Sequence, residues 1–151
     1  MNATETIFAL ALASNFKPQL NFDHAYVQLQ SLGQVFFSKI YLIPCRDGVG
    51  EDYWNSACLL KSQRSVLQIM SDLKDLEQRS GRIRPSHKIS LDIDLIAWGK
   101  DLTTMQFNPK KLPLPLDVQI PLSELWSHPD LSHQAHIYPV ISFEEMLSLS
   151  S

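Results

Sequence analysis

The sequence predicts an α+β fold, an antiparallel sheet with helices packed on one of its faces, in one domain spanning residues 1–151. Three observations carry this prediction. Four runs have strand composition, two stretches have helical spacing, and their order over a core of about residues 5–100 is β-α-β-β-α-β. That order is the ferredoxin-like one.

The first strand is Thr6 to Ala13, a continuous apolar run that ends in the polar Ser14 and Asn15. Phe22, Ala25, Tyr26, Leu29 and Leu32 then recur at helical spacing, with Asn21 expected as the cap and Gly33 after the end. "QVFFSKIYLIP", Gln34 to Pro44, is rich in β-branched and aromatic residues and reads as the second strand. A loop with Gly48 and Gly50 leads to "YWNSACLLK", the third. Ser65 and Gln68 have capping-box spacing, and Val66, Ile69, Met70, Leu73 and Leu76 form one apolar stripe that ends before Gly81. Ile89 to Trp98 is the fourth strand. Beyond it, residues 101–151 read as an irregular extension, because "NPKKLPLPLDVQIPL" holds four prolines and the end is serine-rich.

Composition narrows the classes of function. With 44% hydrophobic and 19% charged residues and a formal charge of −3, the chain has an ordinary globular balance and no basic surplus to attract nucleic acid or anionic lipid. An RNA-binding sheet of the same topology is disfavoured for that reason and by its paired aspartates. Two cysteines, Cys45 and Cys58, are too few for a disulfide scaffold and have no Cys-x-x-Cys spacing, so a reducing compartment is expected. "MNATET" precedes the apolar run without a Lys or Arg, unlike a leader, and no run reaches the length of a membrane span. A cytoplasmic monomer is the expectation. His128, Asp130, His133 and His136 are irregularly spaced and read as solvated loop.

The chemistry lies in three stretches. In "SLDIDLIAWG", Ser90 to Gly99, strand periodicity puts Asp92, Asp94 and Ile96 on one face and Leu91, Ile93 and Leu95 on the other. Two neighbouring carboxylates repel, so positive charge should lie beside them; they suit a hard divalent cation, and they also fit a solvated strand edge. "EQRSGRIR", Glu77 to Arg84, brings Arg82 and Arg84 into the loop before that strand, where guanidinium forks match phosphate oxygens. In "DYWN", Tyr53 and Asn55 share a face, an aromatic plate beside an amide that donates and accepts.

Together these stretches resemble hydroxymethyldihydropterin pyrophosphokinase of folate biosynthesis, from about Ala9 to Gly99. "ASN" (Ala13–Asn15) is similar to the family's Gly-Ser-Asn. "IYLIP" (Ile40–Pro44) is similar to Tyr-x-Thr-x-Pro, "DYWN" to Tyr/Phe-x-Asn, "EQRSGRIR" to Glu-x-x-x-Gly-Arg-x-Arg, and the acidic strand to Asp-Leu-Asp. The resemblance implies transfer of pyrophosphate from ATP to 6-hydroxymethyl-dihydropterin with two Mg²⁺ ions. It implies Asp92 and Asp94 as metal ligands and catalytic groups, with Arg82 and Arg84 catalytic beside them. Tyr53, Asn55, Pro44 and Ile43 would hold the pterin, and Glu77, Arg82, Arg84 and Lys88 the nucleotide.

The chain departs from the family at several positions. "PSHKIS", Pro85 to Ser90, stands where the family has a longer, arginine-bearing loop, with Ile89 at an arginine position. Ala13 replaces a glycine and Ile43 a threonine, and "LPLPLDVQIPL" lacks the family's Pro-His, Arg and Phe. Two activities are compatible with this pattern: a working pyrophosphokinase, or a catalytically weak relative that binds a nucleotide or heterocycle as a regulatory or interaction module.

Overall fold

The alternation of bulky and small side chains in "TIFALALAS" decides the layout of the molecule. The computed structural model describes residues 5–44, 52–81, 88–133, 138–142 and 144–145. In strand β1 (Thr6–Ser14), Phe8, Leu10 and Leu12 point to one side of the sheet and Ala9 and Ala11 to the other. Helices α1 (Pro18–Leu32) and α2 (Val66–Arg79) cover the bulky side with Phe22, Tyr26, Leu29, Ile69, Leu73 and Leu76. Each such side chain stabilises the fold by about 1.5–3 kcal/mol on burial.

Strands β2 (Gln34–Phe37), β3 (Ile40–Ile43), β4 (Tyr53–Ser62), β5 (Asp92–Gly99), β6 (Gln106–Phe107) and β7 (Val140–Ile141) complete a sheet in which every pairing is antiparallel. The order is β6-β5-β1-β4-β3-β7, and β2 also pairs with β4. The predicted α+β class and its β-α-β-β-α-β core are therefore present.

Local details differ from the sequence reading for physical reasons. Helix α1 begins at Pro18, not after Asn21: proline suits the first helical turn, and Lys17 before it takes left-handed backbone, φ 46°. Asn21 lies inside the helix, buried, and its amide donates to the Phe16 carbonyl at 2.8 Å. Helix α2 keeps its expected capping box: Ser65 Oγ accepts from the Gln68 N–H, and Gln68 Oε1 from the Ser65 N–H. Gly81 follows that helix with φ 84°, a conformation open to glycine. Gly33 is required by space instead, because a β-carbon there would lie 2.0 Å from the Lys61 carbonyl oxygen.

The single strand read over Gln34 to Pro44 is two strands. Ser38 interrupts it: its N–H donates to the Ala57 carbonyl while its Oγ accepts from the Ala57 N–H. The register against β4 slips by one residue, from Phe37 opposite Cys58 to Tyr41 opposite Asn55. A one-residue slip turns side chains to the other face, so Val35 and Phe37 pack under the helices while Tyr41 and Ile43 face away from them.

The proline-rich extension is not irregular throughout. Leu116–Leu125 forms helix α3 with Pro121 inside it, and Pro109–Lys111 and Pro129–Leu131 form short 3-10 turns. An interior proline costs a helix about 3 kcal/mol, but Ile120, Pro121 and Leu122 are buried. Leu114, Leu122, Trp126 and Leu131 pack on Ala9, Ala11, Ala57, Leu59, Ile96 and Ala97, so the extension covers the second face of the sheet. Small strand side chains leave room for that close approach.

Candidate active site

Strand β5 starts at Asp92 rather than Ile89, because the residues before it are held by another segment. The Asn15 N–H donates to the Ile89 carbonyl at 2.9 Å, Asn15 Oδ1 accepts from the Ile89 N–H, and Ser14 Oγ donates to the same carbonyl. The polar end of β1 thus clamps the entry to the acidic strand. Ile89 is buried.

From that clamp the register assembles one row. Asp92 lies opposite Ala13, Ala13 opposite Asn55, and Asn55 opposite Tyr41, across four neighbouring strands. Asp94 lies opposite Ala11, and Ile43 opposite Tyr53. Paired residues share a face, so the two aspartates, Asn55, Tyr53 and Ile43 all occupy the sheet face away from α1 and α2. Trp54 is on the helix side, edge-on to Phe22. The small Ala13 and Ala11 sit between the acidic residues and β4. Ile96 joins this face, but a register shift opposite Ala9 and Leu10 brings Ala97 to the same side.

The acidic residues gather a third carboxylate. Glu77, near the end of α2, reaches over the edge of β5, where Glu77 Oε2 accepts from the Ile93 N–H at 3.0 Å. One ligand oxygen from each of Glu77, Asp92 and Asp94 lies within 4.8 Å of the others, and all three residues are half-buried. Three hard oxygen donors at that spacing fit Mg²⁺ or a similar dication. They line a cavity of about 370 Å³ together with Met70, Lys74, Asn108 and Lys111.

Lys111 was not singled out in the sequence. Its ammonium donates to Asp94 Oδ1 at 2.9 Å. Partial burial works against its charge, but the hydrogen bond to Asp94 and the fields of Asp94, Asp92 and Glu77 prevail and hold its pKa above the ordinary lysine value. Asn108 carries the Lys111 backbone to the site: its N–H donates to the Ile96 carbonyl at 2.8 Å, and its amide to the Leu95 carbonyl at 2.9 Å. Its Oδ1 also caps the 3-10 turn by accepting from the Lys110 N–H. The available signal was an Asn-Pro pair followed by two lysines; its tie to a strand more than ten residues earlier has no local signature.

Other expected residues are placed as follows. Asn55 is only 3% exposed and its amide contacts the Tyr53 carbonyl at 3.3 Å. Ile43 is buried with Tyr41 and Ile120, with Tyr138 against them, and Pro44 follows it, exposed. The Tyr41 hydroxyl donates to Glu124 at 2.7 Å, and burial with that carboxylate raises its pKa. Lys88 does not line the acidic cavity; it is exposed, 5.6 Å from the Phe16 ring centroid. Arg82, Arg84 and Cys45 lie outside the described residues. Cys58 is fully buried and its thiol pKa is raised by that burial. His128 caps a 3-10 turn, accepting from the Asp130 N–H, and its ring packs near Phe107 and Trp126.

Fold and site define an α+β protein whose edge cleft presents a carboxylate trio with the donors of a hard-dication site. The chain belongs to the 7,8-dihydro-6-hydroxymethylpterin-pyrophosphokinase family, whose sequence model it matches over residues 9–134. That family implies pyrophosphoryl transfer in folate biosynthesis, and its enzymes use ATP with Mg²⁺. A comparison with curated proteins finds no match. Among the described residues, no helix is long and apolar enough to cross a membrane.

Proposed function

We propose that the chain transfers the terminal pyrophosphoryl group of ATP to the hydroxymethyl oxygen of 6-hydroxymethyl-dihydropterin and releases AMP. The hydroxymethyl oxygen attacks the β-phosphorus. The bond from that phosphorus to the oxygen bridging to the α-phosphorus breaks, AMP leaves with that oxygen, and the hydroxyl gives up its proton. Such transfers depend mainly on positioning and on opposing the phosphate charge.

The observation that carries this reading is the row Asp92–Ala13–Asn55–Tyr41. Between Asp92 and Asn55 in that row stands only the methyl group of Ala13, so a phosphate chain beside the aspartates and a heterocycle beside Asn55 would share one surface. Asp92 and Asp94, joined by Glu77, would hold Mg²⁺, which would supply charge neutralisation along the triphosphate. Asn55 meets the donor and acceptor edge of the pterin, with Tyr53, Ile43 and Pro44 as its walls. Arg82 and Arg84 supply cationic charge to the nucleotide, and Lys88, outside the acidic cavity, contributes only at longer range. The protein acts as a monomer in the cytoplasm, with no nucleic acid or membrane partner.

An assay of AMP release with ATP, Mg²⁺ and hydroxymethyl-dihydropterin tests it. Asp92→Ala is expected to lower turnover by about 10³-fold or more while circular dichroism stays unchanged. Equal turnover in the two proteins overturns the reading.

One observation favours the second reading, a weak relative that serves as a binding module. Ile43 and Tyr41 are packed against Ile120 of α3, and Asn55 is almost fully covered. A ring that reaches Asn55 has to part that contact. Mg²⁺-dependent ATP binding without AMP release, in the same assay, selects this alternative.

A further inference from the structure

Among the three carboxylates crowded at the edge of β5, Asp94 is bonded by the ammonium of Lys111, and that contact points to a purpose for the lysine. The stem and the head of this residue have different restraints. Its backbone belongs to a 3-10 turn pinned to β5 through both the N–H and the amide of Asn108. Its side chain keeps 38% of its surface exposed and carries four methylenes before Nζ. The anchor is fixed and the charge can swing.

The ammonium bonds the same Asp94 carboxylate that a dication in the trio would use. A carboxylate oxygen pair offers about four lone-pair directions, but two cations within 4 Å of one another repel strongly in a half-buried cleft. Metal entry therefore competes with the lysine for Asp94. With nothing else present, the displaced ammonium loses its partner, and metal binding is weakened by that loss. With a triphosphate in the cleft, the same swing delivers Nζ to phosphate oxygens, so the loss is recovered there.

We propose that Lys111 is a positioning residue that couples metal binding to nucleotide binding: it guards Asp94 in the empty site and moves to the phosphates when nucleotide and dication arrive together. This rests on the reading of Glu77, Asp92 and Asp94 as the metal-holding trio. The consequence is that the dication enters as the nucleotide complex rather than alone, which keeps the acidic cleft from being loaded without its substrate. The device belongs to this chain's "NPKK" stretch, outside the acidic strand and the arginine loop.

Equilibrium binding of Mn²⁺, followed by the electron paramagnetic resonance signal of the free ion, reads the coupling without turnover. Wild type, Lys111→Met and Asp92→Asn are titrated alone and with α,β-methylene-ATP, whose bond at the transfer position does not break. Lys111→Met is expected to bind Mn²⁺ alone about 5-fold tighter or more, since a competing cation is gone. The ratio of Mn²⁺ affinities with and without nucleotide is expected to fall by about 10-fold. Lys111→Arg, which keeps the charge, should retain most of that ratio. Unchanged nucleotide-free affinity, or an unchanged ratio, in Lys111→Met overturns the proposal while loss of Mn²⁺ binding in Asp92→Asn keeps the metal reading intact. Mn²⁺ binding that is indifferent to Asp92→Asn overturns both.

Discussion

The two faces of the sheet are built from the same strands yet have different work. Under α1 and α2, Phe8, Leu10, Leu12, Leu60, Ile93 and Leu95 make a bulky, fully apolar layer. Under α3, Ala9, Ala11, Ala57 and Ala97 bring the covering segment close to the backbone, and at one end of this face the aspartates and Asn55 replace apolar side chains. The difference teaches that one strand can serve stability with its even positions and a site with its odd ones. Alternation of size, as well as of polarity, marks which face is which.

Substitutions in β1 sharpen that comparison. The largest effect on stability is expected from Phe8→Ala, because it empties a fully buried ring site in the bulky layer: a loss of about 3–5 kcal/mol in urea unfolding. Molecules that stay folded at low temperature should still bind Mn²⁺–nucleotide with wild-type affinity. A weakened metal site in that variant breaks the proposed division between the faces.

Ala11→Leu, three positions along and opposite Asp94, should behave the other way. Overpacking there costs about 1–3 kcal/mol, less than the cavity at Phe8, but it crowds the strand that carries the acidic pair. Mn²⁺ affinity should fall together with stability. Lost stability with unaltered Mn²⁺ binding would show that this face tolerates bulk next to the site.

The smallest effect concerns the ion pair at the sheet edge. Lys111 has its folded pKa above the unfolded value, so its pairing with Asp94 stabilises the fold fully below pH 10.5 and the contribution is lost as pH rises through the folded pKa. A half-exposed pair of this kind contributes about 0.2–1 kcal/mol. Wild type and Lys111→Met should differ by a constant small amount from pH 7 to about pH 9.5 in chemical unfolding, and converge only at higher pH. A gap that widens with alkali contradicts the assignment.

Much of the site could be read from residues two or three apart. Asp92 with Asp94, and Tyr53 with Asn55, share a face because a strand repeats every two residues, and Ser65 with Gln68 meet because a helix turn does. Pairings across longer separations were not readable. Glu77 reaches Asp92 and Asp94 only because α2 docks beside the edge of β5, and Lys111 arrives from the other side through Asn108. Tyr41 and Ile43 came to the site face through the slip at Ser38, a side chain that takes over a ladder bond and has no periodic signature.

By itself, then, the chain's amino-acid order determined the core elements, the caps of α2 and the shared face of the two aspartates, because these follow from periodicity and hydrogen bonding within a few residues. Only the tertiary structure decided that a proline-bearing segment would become a helix over the alanine face, and that a glutamate and a lysine would join the aspartates. Those outcomes depend on burial and charge contacts between distant segments, whose free energy exceeds the local preferences that oppose them.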